Sequence, residues 1–301
     1  MAPALRIATR ASALARWQAD HIAGLLRASE PSLITELVVI ETTADKRQDI
    51  QIWEMGGKGV FVKEVQAAVL DGRADIAVHS AKDLPSGTID GLVLAAIPER
   101  GDARDALVGA PLHALARGAV VATGSLRRKV QLAHARPDLR FEALRGNIQT
   151  RLDKAAGFDA IVVALAALQR LDLADRVAEV LAVEVMLPQV GQGALAVECR
   201  ADDEPARDLL AAIEHVDSRR CVDAERAFLA ELGGGCDLPA GAHASTAVDG
   251  SITLDALLAA TDGGVVLTHR VTGTDPEAVG RAVALGLLDE KGGRALLAPD
   301  A

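Results

Sequence analysis

A cysteine on a glycine-rich loop is the residue of this chain best placed for covalent chemistry. Cys236 follows the glycines Gly233–Gly235, each of which disfavours helix or strand by roughly 1 kcal/mol relative to alanine, and Pro239 comes soon after. Such a loop leaves a thiol accessible. Cys199 lies in an apolar run and Cys221 in a helical pattern, so we interpret both as small core residues. A core role is also the common alternative for Cys236.

Arginines follow a predicted strand at the start of a predicted helix. Ser125 is a good N-cap, and Arg127 and Arg128 lie in the first helical turn. There they oppose the positive end of the helix dipole, at a cost of up to ~1 kcal/mol per charge. An anion bound at the helix start would make the position of the arginines favourable, because the backbone amides and the guanidinium groups would then bind it together. The alternative is that both arginines point into solvent.

Two other strand ends repeat the pattern. Arg10 and Ser12 follow the first predicted strand, and Arg145 precedes Asn147, an N-cap with Arg151 one turn later. Ligands of open α/β sheets bind at such strand ends. These positions predict a cleft for a ligand with several carboxylates or phosphates. Arg170 ends a helix, where a cation is ordinary.

A Lys-Asp pair follows the predicted strand 74–79. Pro85 disfavours helix at the residue before it, so Lys82 and Asp83 are expected in an irregular segment that projects into the cleft. Such a pair is usually a surface ion pair of little energetic value. Among arginines, however, Asp83 is the candidate acid/base or cation-stabilising group.

The glycine-rich segment 55–64 is not a nucleotide phosphate loop. Gly59 follows Lys58 where Ser or Thr would bind magnesium, and Ile52 takes the first glycine position. We predict a glycine-hinged lid that contains Lys58 and Phe61.

Short apolar runs that alternate with amphipathic stretches predict βα units and a largely parallel sheet. Breaks near 98–102 and after Gly193 indicate crossings between domains. Asp249-Gly250 and Asp262-Gly263 predict hairpin turns in a C-terminal strand region. The predicted strands are 6–9, 33–42, 74–79, 92–97, 119–123, 140–144 and 160–163, and the predicted helices are 12–28, 60–70, 125–135, 148–155, 164–170, 218–232 and 275–288.

Composition excludes several classes of protein. The 301 residues carry a formal net charge of -10 and 2% aromatics, which argues against nucleic-acid binding. No apolar run approaches the ~18 residues of a membrane span, and the first residues lack a signal-peptide core. The cysteines and histidines have no metal-site spacing, so we predict no metal, and three scattered cysteines point to the cytoplasm.

Seven motifs together resemble the porphobilinogen deaminase family. They are 6–12 (RIATRAS), 56–64 (GGKGVFVKE), 74–85 (ADIAVHSAKDLP), 124–128 (GSLRR), 144–147 (LRGN), 190–194 (VGQGA) and 234–236 (GGC), in the family's order. The resemblance implies two α/β lobes similar to those of periplasmic binding proteins and a smaller C-terminal α+β domain. It places them at 1–98 with 193–216, at 99–192 and at 217–301.

The resemblance also implies an activity in tetrapyrrole biosynthesis. Cys236 would hold a covalent dipyrromethane through a thioether, and four porphobilinogens would be joined head to tail on it with loss of ammonia, to give hydroxymethylbilane. Asp83 matches the catalytic aspartate. The residues implied to bind cofactor are Lys82, Ser125, Arg127, Arg128, Arg145 and Gln192, and those implied to bind substrate are Arg10, Ser12, Gln18, Arg151 and Arg170. Family members are usually monomeric.

Two departures and two alternatives accompany this interpretation. Gly124 replaces a common serine of the family, and Asp237 replaces a more usual neutral residue. A two-lobed anion-binding protein would use the same arginines without needing Cys236 or Asp83. An acyl-transfer enzyme with Cys236 as nucleophile lacks an evident histidine partner.

Overall fold

Two mixed five-stranded sheets and one smaller antiparallel sheet organise the chain. The structure is a computed structural model that describes residues 4–42, 62–234 and 238–297. Its strands are β1 (Leu5–Arg10), β2 (Thr35–Ile40), β3 (Ile76–Ser80), β4 (Leu92–Ala96), β5 (Asp105–Gly109), β6 (Val120–Ala122), β7 (Arg140–Glu142), β8 (Ala160–Ala164), β9 (Glu179–Val180), β10 (Leu195–Arg200), β11 (Ala240–Thr246), β12 (Ile252–Ala259) and β13 (Val266–Gly273). Its α-helices are α1 (Ala13–Ser29), α2 (Lys63–Leu70), α3 (Leu126–Ala135), α4 (Ile148–Lys154), α5 (Leu165–Arg170), α6 (Glu204–Ala211), α7 (Val216–Glu231), α8 (Pro276–Leu285) and α9 (Arg294–Leu297).

The chain divides into two compact units. One is Met1–Gly101 with Ala194–Arg219, and the other is Asp102–Gly193 with Arg220–Ala301. The first contains the sheet β2-β1-β3-β10-β4, and the second contains the sheets β7-β6-β8-β5-β9 and β11-β12-β13. The predicted fold class is therefore confirmed as two α/β lobes with a smaller C-terminal α+β domain. The boundaries of three separate domains stay a prediction.

The sheet of the first unit is parallel on one side and antiparallel on the other. β1 pairs in parallel with β2 and β3, whereas β10 runs antiparallel to both β3 and β4. Helix α1 covers one face with Ile22 and Leu26, and α2 covers the other with Val65 and Val69. The carboxyl ends of β1 and β3 therefore meet at one edge, where α1 and the turn after β3 begin.

The second unit repeats this strand order and adds the C-terminal sheet. Helices α7 and α8 pack on β11–β13 around Phe228, which is fully buried. Gly250 and Gly263 both have φ of +79°, as the predicted Asp-Gly turns require. No helix in the described ranges is long and apolar enough to cross a membrane.

The structure corrects several predicted elements. β5, β9, β10, α6 and α9 were not predicted as regular elements, and the breaks near 98–102 and after Gly193 were interpreted only as crossings between domains. The helix predicted over 275–288, α8, ends at Leu285 and continues as a π-helical turn, Gly286–Glu290. The helix predicted over 60–70 begins at Lys63 within the described chain.

Candidate functional site

A cavity opens at the edge where β1 and β3 end. It is lined by Arg10, Ser12, Leu14, Ala15, Gln18, Val62, Val78, His79, Ser80 and Asp83. Four of the predicted site residues, Arg10, Ser12, Gln18 and Asp83, therefore lie around one cavity in the first unit. The parallel pairing of β1 with β3 brings them together, because both strands release their polar residues at the same edge.

Local structure explains how α1 presents its polar residues. Ser12 is the N-cap of α1, and its Oγ accepts a hydrogen bond from the amide of Ala15 at 3.3 Å. Gln18 lies further along α1 and is 3% exposed, and its Nε2 donates to Oγ of Ser80 at 2.8 Å. This hydrogen bond joins α1 to the end of β3 directly beside the cavity.

Asp83 is held in a short turn. Residues Ala81–Asp83 form one 3₁₀ turn, where the sequence predicted an irregular segment. The amide of Ala81 donates to the carbonyl of Ala194 on the neighbouring segment at 3.0 Å. Leu84 is extended at ψ 140°, as expected before Pro85. Lys82 and Asp83 are half-buried, and Asp83 is one of the residues that line the cavity.

An arginine pair forms a second cluster, in the second unit. Ser125 caps α3, and Arg127 and Arg128 are only 3% and 5% exposed. Nη1 of Arg127 lies 2.8 Å from Oδ2 of Asp105, and Nη2 of Arg128 lies 2.8 Å from Oδ1. Gln192 completes the cluster, since its Nε2 donates to Oδ1 of Asp105 at 2.8 Å. The arginines thus do not point into solvent, and Asp105 supplies an anion from within the fold.

Burial and charge act in opposite directions on this cluster. Burial by itself would raise the pKa of Asp105, but the charges of Arg127 and Arg128 outweigh it and hold the pKa well below its usual range. Burial also lowers the pKa of Arg127, partly offset by the nearby carboxylate. Two guanidinium groups and one carboxylate leave a net positive charge in a buried site.

One edge of Arg127 has no hydrogen-bond acceptor among the described residues. Its Nη1 donates to Asp105 and to the carbonyl of Leu187, at 2.8 and 2.6 Å. Its Nε and Nη2 are buried and have no hydrogen-bond partner in the described chain. These two atoms form the fork that binds a carboxylate through two parallel hydrogen bonds, so the residues present fit a carboxylate-bearing ligand here.

The remaining predicted ligands of the second unit lie on α4, at the end of α5 and in the loop before α4. Nε of Arg151 donates to the carbonyl of Gly146 at 2.8 Å, and Arg145 is half-buried two residues before the N-cap of α4. Nη2 of Arg170 donates to the carbonyl of Gly193 at 2.6 Å, and burial lowers the pKa of Arg170 to about 10. Arg170 therefore contacts the loop that carries Gln192 and does more than complement a helix dipole.

The local structure explains why position 124 is a glycine in this chain. A Cβ at this position would lie 2.6 Å from the carbonyl oxygen of Leu144. In this chain, a serine at position 124 would have to displace that backbone. The departure from the family pattern therefore matches the close approach of two loops that carry arginines.

The strand that follows the cysteine loop lies against the arginine pair. A Cβ on Gly241 would meet the carbonyl oxygens of Leu187 and Pro188 at 2.9 and 3.0 Å and Cδ of Arg127 at 3.2 Å. The amide of Ala242 donates to the carbonyl of Pro188 at 2.9 Å. The start of β11 is thus in contact with Arg127 itself.

Some predicted residues lie outside the described chain, and one important residue was not predicted. Cys236, Lys58 and Phe61 fall in segments that the structure does not describe. Cys199 and Cys221 are buried, which confirms their interpretation as core residues. Asp105 was missed because its strand, β5, was missed. The signal was an aspartate before the apolar run Ala106–Val108, in a chain whose paired arginines needed an anion.

Comparison with curated proteins gives two close full-length relatives. The chain is 49% identical over 299 residues to the porphobilinogen deaminase of Chromobacterium violaceum, covering 97% of this chain and 96% of the relative. It is 46% identical over 304 residues to that of Syntrophotalea carbinolica, covering 99% and 96%.

Solved structures show weaker similarity. The periplasmic VFT2 domain of Bordetella pertussis BvgS has 18% identity and a TM-score of 0.40, covering 70% of this chain and 86% of that one. The alkanesulfonate-binding protein SsuA of Xanthomonas axonopodis has 17% identity and a TM-score of 0.36, covering 75% and 74%. Likeness at this level says nothing about activity.

Family models cover nearly the whole described chain. The model described as porphobilinogen deaminase, dipyromethane cofactor binding domain, matches residues 5–208, and the one described as porphobilinogen deaminase, C-terminal domain, matches residues 219–289. Together with the full-length relatives, these matches show that the chain belongs to the porphobilinogen deaminase family.

Proposed function

We propose that this chain is a hydroxymethylbilane synthase in which Arg127 and Asp83 hold and activate the reactants. The enzyme joins four porphobilinogens head to tail, releases ammonia at each addition, and frees linear hydroxymethylbilane. The observation that carries the proposal is the buried Nε–Nη2 edge of Arg127, which has no hydrogen-bond acceptor among the described residues.

A dipyrromethane attached to Cys236 would provide a carboxylate that the Nε–Nη2 edge of Arg127 can bind. The group carries acetate and propionate side chains, and it supplies a permanent primer from which the product chain grows. Arg127 would bind one carboxylate through Nε and Nη2, and the contact of Gly241 with Arg127 brings the strand after the cysteine loop to that side chain. Other carboxylates would be held by Lys82, Ser125, Arg128, Arg145 and Gln192.

Gln192 and Arg128 would act partly through Asp105. Nε2 of Gln192 donates hydrogen bonds to Oδ1 of Asp105 at 2.8 Å and to the carbonyl of Ala103 at 2.7 Å. Arg128 donates through both Nε and Nη2 to Asp105, at 3.1 and 2.8 Å. Of the two arginines, Arg127 would therefore be the main direct anion ligand, and Arg128 would hold Asp105 in position as well as contacting the cofactor.

Asp83 would be the catalytic residue. Its carboxylate faces a cavity that also receives Arg10, Ser12 and Gln18, which we propose bind the substrate side chains together with Arg151 and Arg170. A fixed anion stabilises the positive charge that develops on the substrate methylene when ammonia leaves. Lys58 and Phe61 would belong to a lid over the site.

Two finer expectations accompany this function. We propose a monomeric cytoplasmic enzyme with no nucleic-acid or membrane partner, in line with a net charge of -10. We also propose the domain division 1–98 with 193–216, 99–192 and 217–301.

Intact-mass measurement tests the assignment of Cys236 and Asp83. We expect purified protein to carry a mass excess of two pyrrole units that is absent in Cys236→Ser. Asp83→Ala should keep that excess and lose about 100-fold or more in kcat, the scale of a positioned acid/base or charge-stabilising group. Active protein of unmodified mass, or near-normal bilane production by Asp83→Ala, would contradict the assignment.

A further inference from the structure

A side-chain amide on α3 holds the backbone segment to which Arg127 is bound. Gln131 is 7% exposed and lies one turn after Arg127, on the same face of the helix. Its Nε2 donates to the carbonyls of Leu187 and Arg127 at 3.0 and 3.2 Å, and its Oε1 accepts from the amide of Leu187 at 2.8 Å. Two of these three hydrogen bonds therefore go to one residue of a distant segment.

The carbonyl of Leu187 is the point where Gln131 and Arg127 meet. It accepts from Nε2 of Gln131 and also from Nη1 of Arg127, at 2.6 Å. A carbonyl oxygen has two lone pairs, so this acceptor is fully used. Leu187 lies in a stretch of turns and coil, residues 181–194, and the orientation of its peptide group therefore depends on the side chains that bind it.

Two acceptors fix the plane of the Arg127 guanidinium group. Nη1 donates to the carbonyl of Leu187 and to Oδ2 of Asp105, and both N–H bonds of this atom lie in the plane of the group. A single acceptor would leave the group able to pivot, whereas two acceptors in one plane set the direction of the opposite edge. That edge carries Nε and Nη2, which are buried and have no hydrogen-bond partner among the described residues.

The direction of this edge matters because the site is buried. A carboxylate accepts two parallel hydrogen bonds from an arginine only when it lies in line with the guanidinium fork. In a buried site, a hydrogen bond that is lost through misalignment is not replaced by one to water. A displaced Leu187 carbonyl should therefore weaken carboxylate binding even though Arg127 keeps its charge.

We propose that Gln131 is a positioning residue for the ligand carboxylate. It holds the Leu187 carbonyl, which together with Asp105 directs the Nε–Nη2 edge of Arg127. This rests on the proposed function, in which that edge binds a carboxylate of the dipyrromethane. Asp105 fixes one side of Nη1 through an ion pair, and Gln131 fixes the other side through neutral hydrogen bonds. Gln131 thus acts through Leu187 and Arg127 and not by contact with the ligand.

Arginine side-chain NMR in Cys236→Ser protein tests the positioning without any turnover. The two Nη signals of Arg127, assigned by their loss in Arg127→Lys, should be separate, because the acceptors on Nη1 restrain rotation about the Nε–Cζ bond. Gln131→Met keeps the length of the side chain and removes its amide. It should raise the rotation rate by about tenfold, the scale of one lost hydrogen bond. An unchanged rotation rate would overturn the proposal.

Val130→Ala is the matched control on the same helix. Val130 is fully buried and packs against Leu257 and Ala259 of β12, so the substitution removes packing but no side-chain hydrogen bond. It should lower the urea midpoint of unfolding and leave the rotation rate of Arg127 unchanged. Equal acceleration in Val130→Ala and Gln131→Met would assign the effect to loosening of α3 and would reject the role of Gln131.

A double-mutant cycle in the loaded enzyme tests whether Gln131 acts through Arg127. Per cofactor-bearing chain, Gln131→Met should lower kcat by about tenfold and change KM for porphobilinogen by less than about twofold, because it misplaces the primer and not the incoming substrate. Arg127→Lys cannot form the same fork, so adding Gln131→Met to it should have little further effect on kcat. Two effects that multiply would show independent roles and would overturn the proposal.

The unsubstituted side chain gives a measurement that does not depend on a folded Gln131 variant. Both hydrogens of the Gln131 amide are donated to carbonyls in a buried site. They should exchange with solvent at least about tenfold more slowly than the side-chain amide hydrogens of Gln149, which is exposed on α4. Exchange at Gln131 as fast as at Gln149 would reject the hydrogen bonds on which the proposal depends.

Failure of this proposal and failure of the proposed function give different results. If Gln131→Met leaves both the rotation rate of Arg127 and kcat unchanged, while wild type carries the mass excess and Asp83→Ala is inactive, the positioning role is wrong and the proposed function stands. Wild-type protein that is active without the mass excess would instead contradict the proposed function and, with it, the ligand assigned to Arg127.

Discussion

Asp105 shows how a single buried carboxylate reorganises the chemistry of its neighbours. It accepts hydrogen bonds from Arg127, Arg128 and Gln192, and its side chain is completely buried. It accepts hydrogen bonds from Nε and Nη2 of Arg128, whereas Nε and Nη2 of Arg127 have no acceptor among the described residues. The number of guanidinium donors left without a partner therefore depends on Asp105 as much as on the arginines.

At the residue scale, we predict that Asp105→Asn is strongly destabilising. Removing one partner of a buried ion pair costs about 3–5 kcal/mol, measured as the free energy of unfolding in urea at pH 7. The pKa of Asp105 is depressed in the folded chain, so its contribution is complete above the usual carboxyl range and is lost only as pH falls through the lower folded pKa.

The control is Asp255→Asn, which removes an exposed ion pair with Arg270. It should change stability far less. If the two substitutions had equal effects at pH 7, Asp105 would not be the counter-ion inferred from its distances.

At the element scale, helix packing decides what the same glycine substitution does in two helices. Gly24 is exposed within α1, and an added Cβ meets nothing within 4 Å. On α8, a Cβ at Gly280 would lie 2.3 Å from the carbonyl oxygen of Ala224 and 2.8 Å from the amide of Phe228. The first helix has space at its glycine, whereas the second uses its glycine for close contact with α7.

We therefore predict opposite signs for two identical changes. Gly24→Ala should stabilise the chain by about 0.5–1 kcal/mol, because alanine has the better helix propensity. Gly280→Ala should destabilise it, because backbone atoms of α7 must move. Chemical unfolding of both variants checks this, and a stabilised Gly280→Ala would show that the contact between α7 and α8 is looser than described.

At the scale of the whole molecule, Glu225 links the C-terminal sheet to the loop that carries Gln192. This carboxylate is fully buried and accepts from the amide of Gly191 at 2.7 Å and from the amide of Ala244 at 2.9 Å. The first amide belongs to the loop before β10 and the second to β11. The C-terminal domain and the second lobe thus share a buried acceptor within one compact unit.

We predict that Glu225→Gln loosens one of the two segments. A glutamine offers one acceptor oxygen and turns an NH₂ group toward the other amide, so one of the two hydrogen bonds is lost. Amide hydrogen exchange at Gly191 or Ala244 should therefore accelerate at least tenfold, which corresponds to about 1.4 kcal/mol. Exchange at Ala8, in the first unit, is the internal reference, and equal acceleration there would indicate global unfolding instead.

Much of the fold followed from local rules in the sequence. Apolar runs, N-caps such as Ser12 and Ser125, and the two Asp-Gly turns predicted most helices and strands, because caps and turns act through residues only two or three apart. The strand β5 was not predicted because those rules use only nearby residues. A short strand after a domain crossing has no helix of its own to mark it, and it is identified only by pairing with β8 and β9.

The sequence by itself predicted the residues of the site: a cysteine on a glycine-rich loop, arginines at strand ends, and an aspartate after β3. Only the tertiary structure decided which arginine edges have a partner within the described chain, because Asp105 is distant in sequence and reaches Arg127 and Arg128 through the pairing of β5 with β8. The same is true of Gln131 and Leu187, which become neighbours only when the segment before β10 packs on α3. Residue types and spacing report local preference, whereas the charge of a buried group is set by partners that only folding brings together.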